Sequence, residues 1–225
     1  MSLIMLYRFI KMEIAQNIID FLTRYAILLL SISVHESAHA YSADKLGDST
    51  GKYSGRISLN PLRHIDLIGT VLMPLLQMWY PNAPLIGWAK PCPVNPYNLR
   101  DPKRDNMIIA AAGPISNLLF ATIVSIIFLF TKNFLYGIPY VANVILQIVI
   151  LNVVLAVFNM IPMAPLDGGW ILEGVMPASW EQTYYSIKPY GFFIVLFLMF
   201  TGILWKILGP IVGIILMVLT GIKFI

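Results

Sequence analysis

Residues Ile18–Leu46, IIDFLTRYAILLLSISVHESAHAYSADKL, decide how this chain is read. The run is apolar and long enough to span a bilayer, yet it contains His35-Glu36-Ser37-Ala38-His39, two of the chain's three histidines around a glutamate. On a helix, positions four apart share one face, so His35 and His39 can reach a single ion while Glu36 flanks it. Zinc suits two imidazoles, and a neighbouring glutamate can then act on water. Titratable groups are expensive in hydrocarbon, which favours a functional origin over histidines that merely hydrogen-bond their neighbours.

Composition places the rest of the chain in the same setting. Of 225 residues, 58% are hydrophobic and 12% charged, about half the ~25% charged share of a soluble domain. Mean hydropathy is +0.77. These values describe an integral membrane protein. The net charge of +4 would suit nucleic acid in a soluble chain, but the bases gather at the ends of apolar segments, so no nucleic-acid partner is expected. Cys92, the one cysteine, excludes an internal disulfide and a cysteine-rich zinc site, and reads as a small packed residue. No small-residue cleavage site follows Met1–Ile10, so no cleaved signal peptide is expected.

Further spans are predicted at Asn106–Phe130, Tyr140–Met160, Phe192–Leu204 and Ile207–Ile222. Lys45, Lys52, Arg56, Arg63, Lys90, Arg100, Lys103 and Arg104 crowd the connection between the first two spans, whereas Thr131–Pro139 offers only Lys132. The connection is therefore assigned to the cytoplasm. Both its ends being cytoplasmic, the apolar Ile65–Tyr80 is expected to enter and leave on one side, as a re-entrant or surface-lying segment, unless Leu85–Val94 crosses back. The alternation in Gly51–Leu59 suggests a short β-hairpin able to pair with an extended peptide. The expected fold is all-α and polytopic, with five to six transmembrane helices, a re-entrant segment and that cytoplasmic hairpin. It forms one domain over residues 1–225, with a core at 18–175 and a C-terminal helical pair at 190–225. If the first span ends at Gly47, His39 and His35 lie ~12 and ~18 Å from its cytoplasmic end, at hydrocarbon depth.

A catalytic zinc needs a third protein ligand and an open position. His64 lies in a basic loop, so the ligand has to be acidic, and most of the later acids sit in the charged connection. Asp167 differs, because it follows a span that returns toward the cytoplasm, in Asn159-Met160-Ile161-Pro162-Met163-Ala164-Pro165-Leu166-Asp167-Gly168-Gly169. Pro162 and Pro165 interrupt the helix there and can aim a carboxylate inward. The alternative for Asp167 is an N-cap of a helix at Gly168–Val175. Glu173 is the other candidate ligand.

These residues carry a resemblance. His35-Glu36-x-x-His39 together with Asn159-x-x-Pro162-x-x-x-x-Asp167-Gly168 resembles the two defining motifs of the site-2 protease family of intramembrane zinc metalloproteases. Ser58–Asp66, Gly87-Trp88-Ala89-Lys90-Pro91 and Ala111–Asn117 are similar to segments of the compact members without PDZ or CBS domains. The likeness covers roughly residues 18–175. It implies one Zn2+ per chain on His35, His39 and Asp167, with Glu36 as general base toward a water that attacks a peptide carbonyl. Asn117 and Asn159 are implied to face the substrate backbone or oxyanion, the alternative being interhelical glue. Arg56 and Asn60 are read as a substrate-clamping strand or as solvated loop residues. Leu67 and Cys92 depart from the family pattern without touching the metal chemistry.

The expected activity is intramembrane endoproteolysis of transmembrane or membrane-adjacent segments, in a multi-pass protein of the cell membrane with its active site toward the cytoplasmic side. The expected partners are a transmembrane protein or peptide substrate and the lipid bilayer. The competing expectation is a non-catalytic membrane protein, a degenerate protease that binds metal or a partner through the same pocket.

Overall fold

A computed structural model describes residues 3–78, 87–135 and 137–223. Helices make up nearly all the regular structure: α1 (Leu3–Leu46), α2 (Thr50–Tyr53), α3 (Met73–Gln77), α4 (Pro102–Leu135), α5 (Pro139–Asn159), α6 (Asp167–Val175), α7 (Ala178–Ile187), α8 (Gly191–Phe200) and α9 (Ile203–Thr220). Five stretches are long and apolar enough to cross a membrane: Lys11–Leu46, Pro102–Leu135, Pro139–Asn159, Ala178–Phe200 and Ile203–Thr220. The protein is a polytopic helical membrane protein.

α4 is the hub of the bundle and packs against α1, α5, α6 and α9. Ser31 and His35 of α1 meet Asn117 of α4, while His39 meets Ile109, so the two helices run antiparallel. α5 lies parallel to α1, with Thr23 against Tyr140 and Ser31 against Asn152. The largest buried apolar cluster joins Ala121 of α4, Val149 and Val153 of α5, and Val212 and Leu216 of α9. α9 is thus part of the bundle.

α1 ends where the sequence predicted. Gly47 has φ 113°, and the Asp48 and Gly47 N–H groups donate to the Ala43 and Asp44 carbonyls, the Schellman pattern that satisfies the last turn. The break in the C-terminal pair is displaced from expectation. Gly202, at φ 72°, ends α8 and assigns Leu204 to α9, and the preceding span reaches back to Ala178.

Two expectations are corrected in the 45–104 connection. There is no strand among the described residues, and Gly51–Leu59 is no hairpin: it begins with the helical turn α2. Asp48 accepts hydrogen bonds from the N–H and hydroxyl of Thr50, which starts that turn, and Gly55, at φ 70°, closes it. This local capping outweighs the alternating side-chain pattern. For Ile65–Tyr80 the described residues give a short apolar helical stretch, Leu67–Gln77, with its N-terminus capped by Asp66 onto the Ile68 and Gly69 N–H groups. Tyr25 of α1 donates to the Thr70 carbonyl at 2.6 Å. The expected re-entrant path is not supported, and its return lies outside the described residues. Residues 87–94 carry no regular structure, and the Trp88 and Lys90 N–H groups donate to the Gly69 and His64 carbonyls.

Candidate metal centre

His35, Glu36 and His39 occupy one turn and a half of α1, on the side that meets α4 and the Lys90–Pro93 segment. His35 and His39 are 8% and 7% exposed, buried in the bundle rather than turned to its surface. Asp167 arrives from the α5–α6 connection as the first residue of α6. It makes no cap: the preceding Leu166 is the N-cap residue, and no side chain caps that end. Its carboxylate faces the histidines instead, with Oδ2 3.0 Å from His35 Nε2 and Oδ1 3.4 Å from His39 Nε2. One donor atom from each of the three lies within 4.8 Å of the others.

The protons of this cluster can be assigned from the hydrogen bonds behind it. His39 Nδ1 lies 2.7 Å from the Ile109 carbonyl, which only accepts, so Nδ1 carries the hydrogen and Nε2 keeps its lone pair in the neutral ring. For His35 the assignment follows a longer chain. The Ser31 hydroxyl donates to the Ile27 carbonyl, and so accepts from Asn152 Nδ2 at 2.9 Å. Asn152 Oδ1 then accepts from Asn117 Nδ2 at 2.7 Å, which turns Asn117 Oδ1 toward His35 Nδ1 at 2.6 Å. Nδ1 of His35 therefore donates, and its Nε2 is also a lone pair.

With both rings neutral, two nitrogen lone pairs and a carboxylate converge at this point. Asp167 Oδ2 is accordingly buried without a hydrogen-bond donor, although His35 Nε2 is only 3.0 Å away. Such a group of electron-pair donors is repulsive by itself and fits a cation. Two imidazoles and one carboxylate are a zinc donor set with a position left open. Gly113 of α4 makes room for it: a Cβ there would fall 2.5 Å from His39 Nε2 and 2.6 Å from His35 Cε1.

Glu36 Oε2 accepts from the Cys92 backbone N–H at 2.8 Å. The Cys92 thiol takes no part: burial, and then the Glu36 carboxylate, push it up to about 12, so it stays protonated.

Of the two asparagines expected at the substrate, Asn117 lies behind His35. It is fully buried, and both ends of its amide are taken by His35, Asn152 and the Ser31 carbonyl, so it orients His35. Asn159 is half-buried and donates to the Leu155 carbonyl within its own helix, with no partner for Oδ1 among the described residues. His64 is buried, hydrogen-bonds the Ser58 carbonyl and stands apart from the cluster. Glu173 pairs with Lys188 at 2.7 Å, and Asn60 caps Leu62. Arg56 is 5% exposed and donates to the Arg63 and Lys90 carbonyls, so it is neither solvated nor on a strand.

Sequence reasoning missed Asn152 and Ser31, although polar residues at the centre of apolar spans are themselves a signal. It also missed Asp48, which is fully buried and accepts from Thr50, the Asn95 N–H and Asn98, tying the end of α1 to the loop before α4.

Fold and site together describe a polytopic helical membrane protein in which two buried histidines, a half-buried aspartate and a neighbouring glutamate form a group that could hold a metal ion. A model of the family described as peptidase family M50 matches residues 137–202. The chain is 36% identical over 196 residues to YwhC of Bacillus subtilis, covering 81% of this chain and 84% of that one. It is 27% identical over 181 residues to Rip2 of Mycolicibacterium smegmatis (77% and 64% covered); both relatives bear the name "putative zinc metalloprotease". With the zinc metalloprotease MJ0392 of Methanocaldococcus jannaschii it shares 24% over 167 residues, covering 74% of this chain and 38% of that one. No solved structure matches. The chain belongs to peptidase family M50, the site-2 protease family.

Proposed function

We propose that this protein is an intramembrane zinc endopeptidase that hydrolyses peptide bonds in transmembrane or membrane-adjacent segments. The observation that carries the reading is the convergence of His35 Nε2, His39 Nε2 and the Asp167 carboxylate, each histidine held in the ligating tautomer from behind. These three residues hold one zinc ion, which supplies Lewis acidity toward water and carbonyl groups. Glu36, with Oε2 held by Cys92 N–H, uses its other oxygen as the base. It takes a proton from the water as the water oxygen bonds to the peptide carbon, then gives a proton to the amide nitrogen as the C–N bond breaks. Asn159 Oδ1 is free to accept from the substrate backbone.

The donors sit among apolar helices, so the substrate is a membrane protein or peptide whose scissile stretch is unwound to expose its carbonyl. The basic 45–104 connection supports a site toward the cytoplasmic side of the cell membrane, with the bilayer as its surroundings. Purified full-length protein in detergent is expected to cleave a membrane-spanning peptide, and Glu36→Gln to abolish cleavage with zinc retained. Undiminished cleavage by that variant would remove Glu36 from the chemistry.

A further inference from the structure

A cavity of about 480 Å³ is lined by Ser54, Arg56, Leu62, Arg63, Lys90 and Pro91 among others, the last two in the segment whose Cys92 N–H donates to Glu36. Three of its lining side chains are cationic and none is acidic. Among the described residues no carboxylate pairs with Arg56, Arg63 or Lys90; the acidic partners are taken by Lys52, Lys103 and Lys188 and by the two site histidines. Arg56 is anchored rather than free, its Nη1 donating to the Arg63 carbonyl at 2.8 Å and the Lys90 carbonyl at 3.1 Å. That one guanidinium fixes the two backbone segments bearing the other two charges, so the cationic wall is built and not a chance meeting of mobile side chains.

The surroundings of the wall indicate its ligand. Leu62 is 73% exposed, and Leu59 and Leu67 nearby in the chain are 61% and 75% exposed. Exposed leucines beside unpaired cations, in a connection that the charge pattern assigns to the cytoplasmic face, match a molecule that is anionic at one end and apolar at the other. We propose that this cavity binds the phosphate headgroup of an anionic glycerophospholipid, with Arg56, Arg63 and Lys90 on the phosphate and the acyl chains along Leu59, Leu62 and Leu67. Lys90, Pro91 and Pro93 line the cavity and Cys92 between them donates to Glu36, so on the proteolytic reading a bound lipid steadies the base.

The test is native mass spectrometry of the full-length protein from neutral detergent, mixed with phosphatidylglycerol and phosphatidylcholine of identical acyl chains. Wild-type protein retains phosphatidylglycerol preferentially. Arg63→Gln/Lys90→Gln, both exposed positions, weakens that retention by about thirtyfold while leaving phosphatidylcholine and the unfolding temperature unchanged. Equal retention of the two lipids by wild type, or unchanged phosphatidylglycerol binding by the double variant, overturns the proposal. Inorganic phosphate that protects the protein as well as the lipid does would reassign the site to free phosphate, and displacement of the lipid by an acidic peptide would reassign it to peptide. Binding is read without cleavage, so it stands or falls apart from the proteolytic function.

Discussion

The backbone N–H of Cys92 donates to Glu36 across 56 positions of sequence, between Pro91 and Pro93, which have no N–H to offer. One carboxylate oxygen of Glu36 is thereby held, and in the proposed reaction the other takes the proton. Cys92→Ala keeps the donor and is expected to cleave like wild type. Cys92→Pro removes it and is expected to lower kcat about tenfold or more, in line with the loss of a hydrogen bond to a charged group, at unchanged zinc content. Equal rates for the two variants would mean that this contact does not orient the base.

Asn117 presents its carbonyl oxygen to His35 because Asn152 and Ser31 hold its other end. Asn117→Ala leaves His35 free to turn or change tautomer. Metal affinity, measured by competition with a chelator, is expected to fall roughly 10–100-fold. If Asn117 served only helix packing, the variant would unfold at lower temperature with its metal affinity intact.

Gly113 gives a test in which two physical effects oppose one another. Alanine is preferred over glycine within a helix by about 1 kcal/mol, so propensity alone predicts a more stable Gly113→Ala protein. The added Cβ would sit 2.5 Å from the His39 ring and 2.6 Å from that of His35, and the rings have to move. Zinc content and cleavage are both expected to drop; a variant that gains thermal stability and keeps its metal would show that α4 can yield here.

Asp48 sets an acid limit on stability. Burial alone would raise its pKa, but hydrogen bonds from Thr50, Asn98 and Asn95 outweigh that and hold it below the usual carboxylate value. The unfolded chain therefore takes up the proton first as pH falls. The stabilisation is complete above about pH 3.9 and is lost as pH drops through the lower folded value. Asp48→Asn is expected to cost roughly 1–3 kcal/mol at pH 7 and to flatten the acid side of a melting-temperature profile. A parallel profile displaced by a constant amount would contradict this.

The parts of the site that were legible in sequence are those with local spacing. His35 and His39 share a face by helical period, and Pro162 and Pro165 marked the break that delivers Asp167. What stayed hidden depends on contacts without a local signature. The Cys92 donor is backbone, and the Ser31–Asn152 contact spans 121 positions. The alternation in Gly51–Leu59 misled because Asp48, outside that window, caps the chain into a turn. The long helices were readable because lipid demands uninterrupted apolar length, whereas the 45–104 connection is shaped by individual hydrogen bonds.

The most direct test of the central claim is the zinc content of purified Asp167→Ala beside Glu173→Ala. Asp167 faces both histidines, while Glu173 is engaged by Lys188. One zinc per chain is expected in wild type and in Glu173→Ala, and loss of zinc in Asp167→Ala. Zinc retained by Asp167→Ala and lost from Glu173→Ala would contradict it.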